Sequence, residues 1–201
     1  MIVNGEPGPT PGDTTAIEIA ERLQTSVLSH FTKVFTHLGS SLVTGLLAFA
    51  AAVLLVARRR WAELGVLIAA AVLIVVGAHE IKDAVDRPRP GGGLVAVSGS
   101  SFPSIHAAYS TFYVWLAVTI VLRLRPGMAR KAAVVVTGIV LTVLVGLSRV
   151  YLSVHYLSDV SAGWALGAAS FSLCAAVALV ITTVRQNGRG VVAAGAAEDR
   201  E

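Results

Sequence analysis

The sequence predicts an all-α integral membrane protein, a bundle of five transmembrane helices, and three observations carry that expectation. Of 201 residues, 55% are hydrophobic and 14% charged, and the mean hydropathy is +0.73, more apolar and less charged than an ordinary soluble domain. Five apolar segments, 41–57, 62–80, 104–122, 132–148 and 160–184, each come close to the ~20 residues that cross a ~30 Å hydrocarbon core. The basic residues behind the net charge of +4 sit in short clusters between those segments rather than along one face. That pattern belongs to membrane topology, not to nucleic-acid binding.

The elements follow in order. Residues 1–15 hold three prolines, three glycines and no basic residue; they read as a mobile tail, neither a secretory signal nor a mitochondrial presequence. Over 16–38 the apolar residues Ile17, Ala20, Leu23, Val27, Phe31, Val34 and Leu38 recur every three or four positions between Glu18, Glu21, Arg22, His30 and Lys33. This is an amphipathic helix lying in the membrane interface, or a sixth span packed against the others. The membrane domain covers 40–184, and 185–201 form a cytoplasmic tail. The lone Cys174 excludes an intrachain disulfide. Neither strand alternation nor a repeat of 20–50 residues is present, so a barrel or solenoid does not fit.

Arg58, Arg59 and Arg60, then Arg123, Arg125, Arg130 and Lys131, then Arg185, Arg189 and Arg200 share one face if five segments alternate. The positive-inside rule makes that face cytoplasmic. On the opposite face Lys82, Arg87, Arg89 and Arg149 break the charge bias, and a bound anion would account for them.

Lys82 and Arg89 stand seven apart, and Pro88 with Pro90 stop the second helix before Arg89. A point charge on a helix end and a planar fork in a rigid turn can converge on one phosphate; basic residues snorkelling from a helix end are the plainer alternative. Arg87 reads as a solvated or headgroup-contacting neighbour, and Gly91–Gly93 and Ser98–Ser101 as loop without chemistry. Pro103 fits the first turn of a helix, which leaves the amides of Ser104, Ile105 and His106 at its positive end, a ready anion site. Ser104 adds a hydroxyl, and His106 can hand a proton to a leaving oxygen; a helix-initiating serine beside an interfacial histidine is the plain alternative.

His155 and Asp159, four apart, share a helical face. The carboxylate can accept the imidazole N–H, fix the tautomer and favour the cation formed when the other nitrogen attacks an electrophile held by Arg149. A metal held by His155, Asp159 and His106 has suitable spacing but would sit among four basic residues. An ion pair between Arg149 and Asp159 is the structural alternative.

Together these motifs resemble those of the type 2 phosphatidic acid phosphatase superfamily, membrane lipid phosphatases related in their core to vanadium haloperoxidases. Lys82, Arg89 and Pro90 match K-x6-R-P; Pro103, Ser104 and His106 match P-S-G-H; Ser148, Arg149, His155 and Asp159 match S-R-x5-H-x3-D. The resemblance implies that His155 is a nucleophile forming a phosphohistidine, Asp159 its orienter and His106 the general acid. Lys82, Arg89, Ser104, Ile105 (through its N–H) and Arg149 would bind the phosphoryl oxygens, with no metal and no cofactor. It further implies a lipid phosphate or diphosphate substrate, a plasma-membrane location and an active site on the extracytoplasmic face. Phosphatidate, phosphatidylglycerol phosphate, polyprenyl diphosphate and polyprenyl-linked sugar phosphates all suit it. Ile105 stands where the family has glycine, which raises the alternative of a catalytically silent lipid-phosphate-binding protein. A haloperoxidase would need vanadate and a soluble scaffold, against which the apolar segments argue.

Overall fold

The computed structural model describes residues 2–3, 6–123 and 127–198, with side chains over 8–119, 121 and 127–184. After a two-residue antiparallel ribbon, β1 (Ile2–Val3) with β2 (Glu6–Pro7), the described chain is helical. Helix α1 (Pro11–Arg22) starts on a reciprocal cap: the Thr10 hydroxyl accepts from the Asp13 amide and the Asp13 carboxylate from the Thr10 amide, with Pro11 preset for the first turn. Residues 11–15, expected in a mobile tail, are therefore helical.

The single amphipathic helix expected over 16–38 is in fact α1, α2 (Ser26–Phe35) and a 3-10 turn, Thr36–Gly39. The break is local. Thr25 is extended (φ −132°, ψ 156°); its hydroxyl accepts from the Leu28 amide, and its own amide donates to the Tyr151 hydroxyl at 3.2 Å. Helices α3 (Ser41–Ala57), α4 (Trp61–Val85), α5 (Ile105–Arg123), α6 (Met128–Tyr151) and α7 (Leu157–Glu198) follow.

Among the described residues four stretches are long and apolar enough to cross a membrane: Ser26–Ala57, Trp61–Val85, Met128–Tyr151 and Leu157–Val184. The first contains α2, the 3-10 turn and α3, with an extended residue at Ser40 between them. Helix α5 runs through the middle of the bundle and packs on α7, α6, α4 and α3. Arg125 and Arg200 lie outside the described residues, as do the side chains of Arg123, Arg185 and Arg189; of the basic residues expected on the cytoplasmic face, Arg58–Arg60, Arg130 and Lys131 have described side chains.

Small residues let the central helices touch backbone to backbone, the usual device where lipid gives helices no hydrophobic drive to associate. A side chain at Gly163 of α7 would strike the Ser104 carbonyl, and one at Gly167 would come within 2.5 Å of the Ala108 carbonyl. This close seam between α5 and α7 holds the start of α5 against the start of α7. The apolar core, with Leu67, Ile74, Phe112, Leu116 and Phe171, fills the bundle behind it, while Leu42, Phe49, Val136 and Leu179 face outward.

Candidate active site

Two connectors, 86–104 and 152–156, meet at one end of the bundle. Helix α4 ends because Asp86 adopts a left-handed conformation (φ 39°), and Pro88 and Pro90 cannot continue the ladder. Arg87 and Arg89 thus leave the helix on irregular chain pinned to the Ser98–Ser101 loop. The Ser101 amide donates to the Arg87 carbonyl at 2.8 Å, the Arg87 amide to Ser100 Oγ at 3.1 Å and Ser101 Oγ to the Pro88 carbonyl at 3.1 Å.

That loop, which the sequence left without chemistry, places both cations. Lys82 Nζ donates to the Ser100 carbonyl at 2.6 Å, and Arg89 Nη2 donates to the same oxygen at 3.2 Å. Arg89 further donates from Nε to the Gly99 carbonyl and from Nη1 to the Val154 carbonyl at 2.8 Å. The convergence expected of Lys82 and Arg89 therefore runs through one shared acceptor.

His155 follows a turn made by Ser153, whose φ is 51°. Its Nδ1 lies 2.7 Å from the Ser101 carbonyl. A carbonyl only accepts, so Nδ1 carries the proton and Nε2 keeps its lone pair. Arg89 Nη1 is 3.3 Å from that Nε2. Burial lowers the His155 pKa to about 4; Asp159 opposes the shift, and Arg149 and Arg89 add to it. The imidazole is thus neutral at physiological pH, the state a nucleophile needs.

Asp159 sits differently from expectation. Its Oδ2 is 3.7 Å from His155 Nδ1, beyond hydrogen-bond reach, and the Ser101 carbonyl holds the tautomer in its place. Asp159 instead accepts from Arg87 Nη1 at 2.5 Å and from the Tyr156 amide at 2.8 Å. Arg87 is correspondingly buried, 4% exposed, rather than solvated. It also donates to Ser158 Oγ, the Gly8 carbonyl and Asp13 Oδ2, and its guanidinium stacks 4.5 Å from the Tyr156 ring. The alternative pairing of Arg149 with Asp159 gives way to this one.

Arg149, at the end of α6, donates from Nη1 to Thr36 Oγ1 at 3.0 Å, and Ser148 Oγ donates to the same hydroxyl. Ser104 precedes α5 rather than lying in its first turn. Its amide donates to the Asp159 carbonyl at 2.9 Å, so one of the three amides expected for an anion is already engaged. Among the described residues Ser104 Oγ and Arg149 Nε are fully buried and find no hydrogen-bond partner, a costly state for groups that an anion would satisfy. His106 lies within Coulombic reach of Arg149, His155, His37 and Arg89. Ile105 opens α5 and is not among the described non-glycine residues with positive φ, which are Arg59, Asp86 and Ser153.

Sequence reasoning missed Arg87, Asp13, Ser101 and Thr36. The doubled Arg-Pro of 87–90 was a local signal for Arg87; nothing local marks Asp13, which bonds Ser158 across 145 positions of sequence.

His155, with Nδ1 on the Ser101 carbonyl and Nε2 meeting Arg89 Nη1, thus sits buried among basic side chains at one end of an apolar helical bundle. The family follows from comparison: the PAP2 superfamily matches residues 60–183, and the chain belongs to it. It is 35% identical over 146 residues to phosphatidylglycerophosphatase B of Bacillus subtilis (strain 168), covering 69% of each chain. It resembles the crystal structure of a transmembrane PAP2-type phosphatidylglycerolphosphate phosphatase from Bacillus subtilis, with a TM-score of 0.72 and 28% identity over 82% of this chain and 83% of that one. Aquifex aeolicus LpxE shares the fold, with a TM-score of 0.64 at 22% identity over 87% of this chain and 98% of its own. The chain is an all-helical, multi-pass membrane protein and an enzyme of the membrane lipid phosphatase class.

Proposed function

We propose that the chain removes a terminal phosphate from a lipid phosphate or diphosphate through a phosphohistidine on His155, without a metal, at the extracytoplasmic face of the plasma membrane. The observation that carries this reading is the Ser101 carbonyl on His155 Nδ1, which leaves the lone pair on Nε2, 3.3 Å from Arg89 Nη1, while Ser104 Oγ and Arg149 Nε stay buried and unpartnered among the described residues. Lys82, Arg89, Arg149 and Ser104 would hold the non-bridging oxygens and neutralise charge in the transition state.

Nε2 attacks phosphorus, the bond from phosphorus to the lipid oxygen breaks, and His106, which takes up a proton when the phosphate anion binds among the cations, gives that oxygen the proton. Water then attacks the phosphohistidine, His106 takes up its proton, and inorganic phosphate leaves with Nε2 bare again. Phosphatidylglycerol phosphate is the first substrate to test, given the activity named for the Bacillus relatives. The binding-only alternative rested on Ile105, and a helix-opening residue outside the positive-φ set has no conformational need of glycine.

The experiment is phosphate release by the purified protein from a panel of lipid phosphates in excess chelator, with acid quench to trap an acid-labile phosphoenzyme. Turnover in chelator, with label lost in His155→Ala, is expected. Turnover that needs an added divalent ion would overturn the metal-free mechanism, and label retained in His155→Ala would overturn the nucleophile.

A further inference from the structure

The N-terminal helix reaches into this site through one buried chain of charges, and that helix lies outside the region matched by the family, 60–183. Asp13 is 1% exposed and Asp159 fully buried, and both grip the same arginine: Arg87 Nη2 reaches Asp13 Oδ2 at 3.0 Å and Nη1 reaches Asp159 Oδ1 at 2.5 Å. Ser158 ties the two ends together, its amide donating to Asp13 Oδ1 and its hydroxyl to Asp13 Oδ2, each at 2.8 Å. The Asp13 carboxylate also closes the cap of α1 by accepting from the Thr10 amide. Burial raises its pKa, but hydrogen bonds from Thr10, Ser158 and Arg87 outweigh that and hold it well below the usual carboxylate range. The group is ionised.

The charge count gives this arrangement a consequence. Arg87 and Asp159 alone form a neutral pair, with no net charge to offset a cation on His155. With Asp13 added, two carboxylates share one guanidinium and the cluster keeps one net negative charge. Asp159 Oδ2 carries it to within 3.7 Å of His155 Nδ1. A phosphorylated imidazole is a cation at that ring, in a site whose other charges, Lys82, Arg89 and Arg149, are positive.

We propose that Asp13 and Arg87 are positioning residues for phosphoryl transfer: Arg87 fixes the Asp159 carboxylate beside His155, and Asp13 supplies the charge that Arg87 would otherwise cancel. The N-terminal helix is in this sense a part of the active site, and the inference rests on reading His155 as the nucleophile.

The charged and titratable groups facing His155 are His106 from α5, Arg149 from α6, Asp159 from α7 and Arg89 from the 86–104 connector, with Lys82 of α4 beside Arg89. None of them changes in Asp13→Asn or Arg87→Gln, so the two variants isolate the shared charge. In Arg87→Gln the unbalanced Asp159 favours the imidazolium; in Asp13→Asn the neutralised Asp159 does not. A merely structural role would hydrate the site and move both variants toward the ordinary histidine value.

The test is the titration of His155, read by NMR on protein with 15N-labelled histidine and assigned by its loss in His155→Gln, together with kcat and KM for lipid phosphate release. Arg87→Gln should raise the His155 midpoint by about one unit, while Asp13→Asn leaves it at or below the wild-type value. Asp13→Asn should also lower kcat about tenfold or more, with KM within about threefold. Midpoints that rise in both variants, or an unchanged kcat in Asp13→Asn, would overturn the proposal. If Arg87→Gln does not fold, Asp13→Asn decides alone by the same two criteria. A wild-type protein without turnover on any lipid phosphate would sink the proposed function, while the order of the midpoints still tests the charge sharing.

Discussion

At the end of the bundle that carries His155, charge is buried: Arg87, Arg149, His155 and Asp159 each expose 4% or less. Toward the opposite end a cavity of about 490 Å³ opens between α3, α4, α5 and α7, lined by Leu55, Leu67, Leu116, Phe171 and Leu179. The ion pair at its rim, Arg60 with Glu63 at 2.8 Å, is 36% and 29% exposed. Buried charge and this apolar cavity therefore lie at different ends of the bundle. Desolvated charges are costly to keep, and their concentration at one end is where the proposed phosphate site lies; the cavity offers an apolar lining and a solvated ion pair of the kind that contributes little.

The contrast can be broken from the charged end first. Asp159→Asn removes the charge beside His155, but the Ser101 carbonyl still fixes the imidazole tautomer. The expected loss in kcat is on the order of 10², short of the ~10⁴ seen when an orienting acid that also sets the tautomer is replaced. A loss of 10⁴ in single-turnover measurements would show that Asp159 swings onto Nδ1 during the reaction.

Acidification comes next. Because the His155 pKa is lowered to about 4, its neutral form persists down to that pH, and kcat/KM should fall about tenfold per unit below it. Stability has the same sign. Between the unfolded value near 6.5 and the folded value near 4 the unfolded chain takes up a proton that the folded chain refuses, so stability declines as pH falls through that window. An acid limb near pH 6.5 in a kcat/KM profile would mean that His155 is solvated during turnover.

Ile105→Gly should change kcat by less than about tenfold, or ~1.4 kcal/mol of barrier, and cost roughly 0.5–1 kcal/mol of helix stability. Its larger effect should fall on which lipids are accepted, since the half-buried side chain stands at the start of α5 next to Ser104. A hundredfold rise in turnover on every lipid would show that Ile105 distorts the phosphate site. Smallest of all is the apolar end: Leu116→Phe, which fills part of the cavity, should leave kcat and KM within about twofold while shifting the melting midpoint. A larger kinetic change would join the two ends functionally.

The charged end also separates what could be read from sequence and what could not. The apolar segments, the prolines at 88 and 90 and the intervals among Lys82, Arg89, Ser104, His106, Arg149, His155 and Asp159 are properties of the linear chain, because helix periodicity and spanning length act locally. The apolar segments sufficed for a helical membrane protein, and the motif intervals, through their resemblance to a known family, for the lipid phosphatase class. Partnership was not legible. Asp159 pairs with Arg87 rather than His155, Arg87 lies in the interior rather than in solvent, and the Ser101 carbonyl accepts the hydrogen bond from His155 Nδ1, each through contacts made between distant segments. Thr36 on Arg149 and Asp13 on Arg87 join the N-terminal elements to α6 and to the 86–104 connector, 113 and 74 positions away in sequence. A hydrogen bond depends on where the backbone places its donor and acceptor to within a few tenths of an ångström. The close approach of Gly163 and Gly167 of α7 to the Ser104 and Ala108 carbonyls helps set that placement, so the sequence by itself named the candidate side chains and their spacing, and only the tertiary structure decided which groups hold one another.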